Sequence, residues 1–133
     1  MKILFCEDTF NPNIAEEAYS KEYECAINNG FGILLYNFED KVIKNNKINN
    51  EMEAVIYRGW MLNPCEYKIL YNNLLAMNYK MINNPTEYQN CHYLPDSLKY
   101  IENHTPKTIF EKYTNGDSIK NILKRQRFLM ENL

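Results

Sequence analysis

The chain has 133 residues, 45% hydrophobic and 24% charged, with a formal net charge of −2, the length and composition of one globular domain. A near-neutral balance argues against non-specific nucleic-acid binding, which draws on a basic excess to displace counterions. No apolar run approaches the roughly 18 residues of a membrane-spanning helix, and the N-terminus lacks a signal-peptide pattern.

In chain order, residues 2–6 (KILFC) read as a buried strand with Glu7 and Asp8 gathered at its carboxyl end. Asn13 is placed to cap a helix over 14–29, Glu16 completes a capping-box-like pair, and Gly30 stops the helix. Residues 32–36 (GILLY) form the second strand. The Lys- and Asn-rich stretch 41–50 reads as a short helix or loop. Residues 54–58 (AVIYR) form the third strand, and Asn63-Pro64 opens a helix carrying Tyr67, Leu70, Tyr71, Leu74 and Leu75 at helical spacing. A fourth strand is expected at 80–82. Helical turns open at Thr86 with Gln89 and at Asp96, the latter ending near His104. A fifth strand is expected at 108–110, and Asp117 caps a last amphipathic helix over 118–133. The alternation predicts an α/β class: one Rossmann-like domain over 1–133, with a mainly parallel sheet of four to five strands and helices on both faces. Its ligand crevice would lie beyond the carboxyl ends of the strands.

The glycines, Gly30, Gly32, Gly59 and Gly116, make neither a dinucleotide-binding nor a phosphate-loop pattern, and the first strand runs into an acidic turn that repels phosphate. Glu7 and Asp8 read either as recognition of an amine or as charges at a helix N-terminus. Arg58 reads as a fork for a carboxylate in the crevice, or as the partner of Asp8 or Glu7. Trp60 is the one tryptophan and reads as a pocket floor, a partner anchor or a lid on the core. His92, with Tyr88 one turn before it, and His104 accompany no nucleophile or metal-ligand pattern, so capping or core hydrogen bonding is the expected role of each histidine. Cys6, Cys25, Cys65 and Cys91 show no zinc spacing. They are expected to be free buried thiols in a reducing cytoplasm. Lys120, Lys124, Arg125 and Arg127 read as a solvated basic helix face. No cofactor is implied.

Three segments carry a resemblance: residues 5–19 (FCEDTFNPNIAEEAY), 54–62 (AVIYRGWML) and 83–95 (NNPTEYQNCHYLP), followed by His104-Thr105-Pro106. Over about residues 1–110 the chain resembles the N-terminal part of a bacterial and phage clade of ATP-grasp proteins. The resemblance implies a pre-ATP-grasp domain, which in whole family members lies on the acceptor side of an ATP-dependent carboxylate–amine ligase site. The lysines that hold nucleotide phosphates there, and the carboxylates that hold magnesium, have no counterpart in these 133 residues. The expectation is therefore a catalytically incomplete module, not an enzyme by itself, that acts by binding another protein. A phage or mobile-element regulator or inhibitor fits this description. The binding surface is expected to draw on Asp8, Arg58, Trp60, Tyr88 and His92, with exposed tyrosines such as Tyr88 and Tyr93. The alternatives are the substrate-side domain of a split or truncated ligase, and a small amino-acid or peptide binder using Asp8 and Arg58. An open sheet edge makes a homodimer an expectation as well.

Overall fold

Strand β1 (Lys2–Cys6) is the centre of a five-stranded sheet in the computed structural model, which describes residues 1–44, 47–108, 121 and 124. Strands β2 (Gly32–Asn37), β3 (Val42–Lys44), β4 (Glu53–Arg58) and β5 (Tyr79–Met81) complete it in the order β3-β2-β1-β4-β5. All neighbours are parallel except β2 and β3, which form an antiparallel pair. The helices are α1 (Ser20–Asn28), α2 (Pro64–Ala76), α3 (Pro85–His92) and α4 (Leu94–Ile101), with 3-10 turns at Glu17–Tyr19 and Glu102–His104. The chain divides into two compact units, Met1–Asn90 and Cys91–Leu133. The sheet with α1 and α2 lies in the first, and α4 with the turn after it lies in the second.

Period-two alternation sorts the strands onto two faces. Leu4, Cys6, Leu34, Tyr36, Ile43, Val55, Tyr79 and Met81 face one way, where Tyr67, Leu70 and Leu74 of α2, Leu62 and Tyr88 of α3 close over them. Ile3, Phe5, Ile33 and Leu35 face the other way, against Ala26 and Tyr23 of α1, Tyr19 and Ala15. Helices thus cover both faces, and the α/β class with a mostly parallel sheet stands as expected.

Helix α2 begins where the sequence places it. Asn63 Oδ1 accepts the Glu66 N–H at 2.9 Å, Glu66 Oε2 accepts the Asn63 N–H at 3.2 Å, and Pro64 occupies the first turn, where its missing N–H is harmless. Helix α1 differs from expectation. Asn13 is no cap: it lies in the left-handed region at φ 78°, and regular helix starts only at Ser20. The stop at Gly30 holds, at φ 74°. Its N–H reaches the Ile27 carbonyl at 2.9 Å and the Phe31 N–H reaches Ala26 at 3.0 Å, which together satisfy the last turn.

The polar stretch 41–50 is neither helix nor loop throughout, because its first residues form edge strand β3, with Ile43 buried opposite Tyr36. The fourth strand expected at 80–82 is β5, one residue earlier. Helix α4 starts two residues before Asp96, at Leu94. Residues 109–110 of the expected 108–110 strand lie outside the described residues, as does the 118–133 helix apart from Asn121 and Lys124, both helical. Cys6 is buried as expected, but Cys25, Cys65 and Cys91 are exposed thiols. Among the described residues no helix is long and apolar enough to cross a membrane.

The α2 side is tied together by Tyr88. Its ring stacks on Tyr67 with centroids 3.7 Å apart, its Oη accepts the Leu62 N–H at 2.8 Å, and its hydroxyl donates to the Leu62 carbonyl at 3.2 Å. Leu62 is fully buried, so water cannot replace that hydroxyl. Tyr88→Phe keeps the ring and leaves both Leu62 backbone groups without it. Its expected cost, read from urea unfolding, is about 1–3 kcal/mol with an unchanged m-value, and a loss within error of zero would contradict the role given to the hydroxyl.

Candidate functional site

Strand β1 leads through α1 to β2 on one face, and β4 leads through α2 to β5 on the other. The loops leaving the adjacent carboxyl ends of β1 and β4 therefore diverge, and this divergence is where open parallel sheets collect their sites. The residues gathered there come from three loops: 7–16 after β1, 38–41 after β2, and 59–63 after β4.

Glu7 organises the first loop. Its side chain is 1% exposed. Oε1 accepts the Asn13 N–H at 2.7 Å and the Lys44 ammonium, and Oε2 accepts Asn37 Nδ2 at 3.2 Å. Burial alone would raise its pKa. Lys44, the Asn13 N–H and Asn37 outweigh that penalty and hold the carboxyl below its ordinary value of 4.5. Asn13 adopts its positive φ in delivering that N–H, a conformation asparagine tolerates better than most residues. The loop is closed below by a bridge between Glu7 and Ala15 and by the Asp8 N–H on the Ile14 carbonyl at 3.0 Å. Asp8 turns the chain: its Oδ1 accepts the N–H groups of Phe10 at 2.8 Å and Asn11 at 2.6 Å, an Asx turn. The turn leaves Phe10 92% exposed.

The β4 loop packs onto Cys6. A Cβ on Gly59 would lie 2.4 Å from Cys6 Sγ and 2.8 Å from Tyr57 Oη, so only glycine fits. Tyr57 donates its hydroxyl proton to the Trp60 carbonyl at 2.6 Å, which leaves the Cys6 thiol to donate in the 3.5 Å contact between Sγ and Tyr57 Oη. Cys6 Sγ also accepts the Trp60 N–H at 3.4 Å. Burial and the neighbouring Cys6 push the Tyr57 phenol up, so it stays a neutral donor. Trp60 is thus gripped by its backbone while the residue stays 41% exposed, and Met61 beside it is 62% exposed. The Trp60 ring tilts onto Phe38 of the β2 loop, with centroids 5.3 Å apart. Because β1 lies between β2 and β4, this aromatic pair spans the end of β1.

Arg58 does not point into the divergence. It pairs with Phe5 in the sheet and shares the α1 face with Ile56. Its partner is neither Asp8 nor Glu7 but Glu22 of α1, held by two bonds: Nε to Oε2 at 2.5 Å and Nη2 to Oε1 at 2.6 Å. The pairing raises the Arg58 pKa and lowers that of Glu22, and the guanidinium stands over the Tyr19 ring at 5.3 Å.

Among the residues expected to act together, Asp8 and Trp60 share the carboxyl edge, and Arg58 lies on the α1 face. Tyr88 is buried and 3% exposed, so it offers no exposed tyrosine surface. Exposed His92 ends α3 and belongs to the second unit, as does half-buried Tyr93. Phe10, Phe38 and Met61 were not singled out from sequence; the available signal was a lone apolar residue inside a turn-rich stretch for Phe10 and Phe38, and for Met61 its place between Trp60 and Leu62 in a loop. Among the described residues no group of three His, Cys, Asp or Glu side chains is disposed to hold a metal. Comparison with protein-family models, curated proteins and solved structures gives no match.

The lowered pKa of Glu7 fixes a pH dependence. Its contribution to stability is complete above the ordinary value of 4.5 and disappears as pH falls through the lower folded-state value. Glu7→Gln removes the charge at every pH. The stability gap between wild type and Glu7→Gln, from urea unfolding, is expected to be full at neutral pH and to shrink in acid; a gap that does not change with pH would refute the assignment.

Proposed function

We propose that this chain is a protein-binding module that holds its partner with the carboxyl edge of the sheet, through Phe10, Trp60 and Met61. The observation that carries this reading is the state of Trp60. Its backbone is fixed by Cys6 and Tyr57, yet the residue is 41% exposed beside Met61. A large side chain presented on a fixed backbone loses little freedom on binding, which is the character of interface hot spots. The strand order and the divergence of the β1 and β4 loops support a Rossmann-like arrangement of the pre-ATP-grasp kind. On this reading the module keeps that shape and uses it to engage another protein, as a regulator or inhibitor, without catalysis of its own.

The alternatives, a ligase substrate domain or an amino-acid binder, require Asp8 and Arg58 to face a ligand together. Asp8 lies in the turn after β1 at the carboxyl edge and Arg58 on the α1 face of the sheet, so the two do not face one ligand and the edge reading is the better supported one.

The test is affinity capture from lysate of the source cell, read by mass spectrometry, with wild type beside Trp60→Ala/Met61→Ser. A stoichiometric partner held by wild type and lost by the variant, at unchanged thermal stability, is the expected result. Truncating a central tryptophan anchor costs about 2 kcal/mol or more of binding. Equal retention by the variant, or no partner for wild type, would overturn the proposal.

A further inference from the structure

Between α1 and the sheet lies a second feature, separate from the carboxyl edge. Helix α1 seats on β1 and β2 through Ala26 and Tyr23 against Phe5 and Leu35. Among the described residues no helix covers the same face of β4 and β5, where Ala54 is exposed, Ile56 half-buried and Ile82 57% exposed. The step from the covered to the uncovered half of the sheet forms a cleft of about 380 Å³. Its interior is apolar: Ile3, Phe5, Ala26, Phe31 and Ile56. Lys21, Glu22, Cys25, Asn29 and Arg58 complete its lining, and the charged groups among them form its rim.

The rim chemistry selects an occupant. A guanidinium has five N–H donors; Glu22 takes two of those on Arg58, leaving three with no hydrogen-bond partner among the described residues. The Lys21 ammonium has no partner among them either. Two cations against one carboxylate give the rim a net charge of +1, and the bond to Glu22 holds the guanidinium in place. The cleft is within the size range of small-molecule sites, which pair an apolar lining with a few fixed polar groups.

We infer that this cleft binds a small amphipathic carboxylic acid, with its phenyl or branched alkyl body against Ile3, Ala26, Phe31 and Ile56 and its carboxylate on Lys21 and Arg58. The site does not rest on the protein-binding reading, and either can fail without the other.

The test is titration of the full chain, followed by amide NMR shifts, with three probes: 4-phenylbutyrate, 4-phenylbutanol and acetate. Phenylbutyrate is expected to shift amides of α1 and those around Ile56, to bind roughly tenfold more tightly than the alcohol because it adds a charged hydrogen bond, and acetate is expected to shift neither. Lys21→Gln is expected to weaken the acid several-fold and leave the alcohol unchanged. Cys25→Trp fills the cleft from an exposed helix position and is expected to abolish binding of both, with thermal unfolding reporting that the variant is folded. Equal affinity for acid and alcohol, insensitivity to Lys21→Gln, shifts centred elsewhere, or no binding at millimolar acid would each overturn the inference.

Discussion

A carboxylate withdrawn from water must be answered on every side, and Glu7 imposes that demand at the centre of the sheet. Its charge recruits Asn13 from the following loop, Asn37 from the end of β2 and Lys44 from β3. Those are the pieces that define the carboxyl edge. The loop must return so that Asn13 can present its N–H, and β3 must run antiparallel to β2, with Lys44 opposite Leu35, to bring the ammonium within reach. Removing one partner of such a pair costs about 3–5 kcal/mol when both are deeply buried; here Lys44 keeps some contact with water, which places the cost toward the lower end. Both oxygens of Glu7 are engaged, so it serves as a structural anchor of the edge.

The same constraint explains where local sequence signals prevailed and where they did not. The pattern Asn-x-x-Glu occurs at Asn13–Glu16, Asn50–Glu53, Asn63–Glu66 and Asn84–Glu87, the second of these running into strand β4. At Asn63 it forms a reciprocal cap. At Asn84 it does so too, with Asn84 Oδ1 accepting the Glu87 N–H at 3.0 Å and Glu87 Oε2 accepting the Asn84 N–H at 2.8 Å, although the sequence reading opened that helix at Thr86. Both of these are followed by proline at the first helical position, whose fixed φ favours the helix start. At Asn13 the proline comes before, and the buried carboxylate takes the backbone N–H. A tertiary charge therefore outweighs a local propensity worth about 1 kcal/mol. Strand β3 was hidden for a related reason: three residues are too few to show alternation, and their pairing with β2 is what defines them.

Side-chain direction was more legible than the sequence reading used. Val55 and Tyr57 face α2, so period two alone places Arg58 with Ile56 on the α1 face. Reading Arg58 as the end of a strand, projecting into the crevice, set that alternation aside. Glu22 as its partner was not legible, because 36 residues separate the two and only the packing of α1 brings them together. Tyr88 was misplaced by a similar gap. Nothing local indicates that its hydroxyl serves the backbone of Leu62, and a tyrosine in a short polar helix reads as surface until that partner is known.

The two unassigned surfaces have one physical origin. A parallel sheet is stable when both faces are covered, and α1 covers only the half over β1 and β2 while α2 and α3 serve the other face. The step on the α1 face is bounded by Arg58, which Glu22 holds by two hydrogen bonds. At the carboxyl edge the reverse holds: Leu62 is anchored by Tyr88, and the Trp60 backbone by Cys6 and Tyr57, so Trp60 and Met61 cannot retreat into the core that their neighbours already fill. Exposed apolar area on a fixed backbone, and an apolar cleft under a fixed cation, are what packing leaves when the strong local bonds are met first. Trp60 and Met61 are thus presented by contacts that lie beneath them, so substitutions of those two side chains leave the contacts that hold the loop in place.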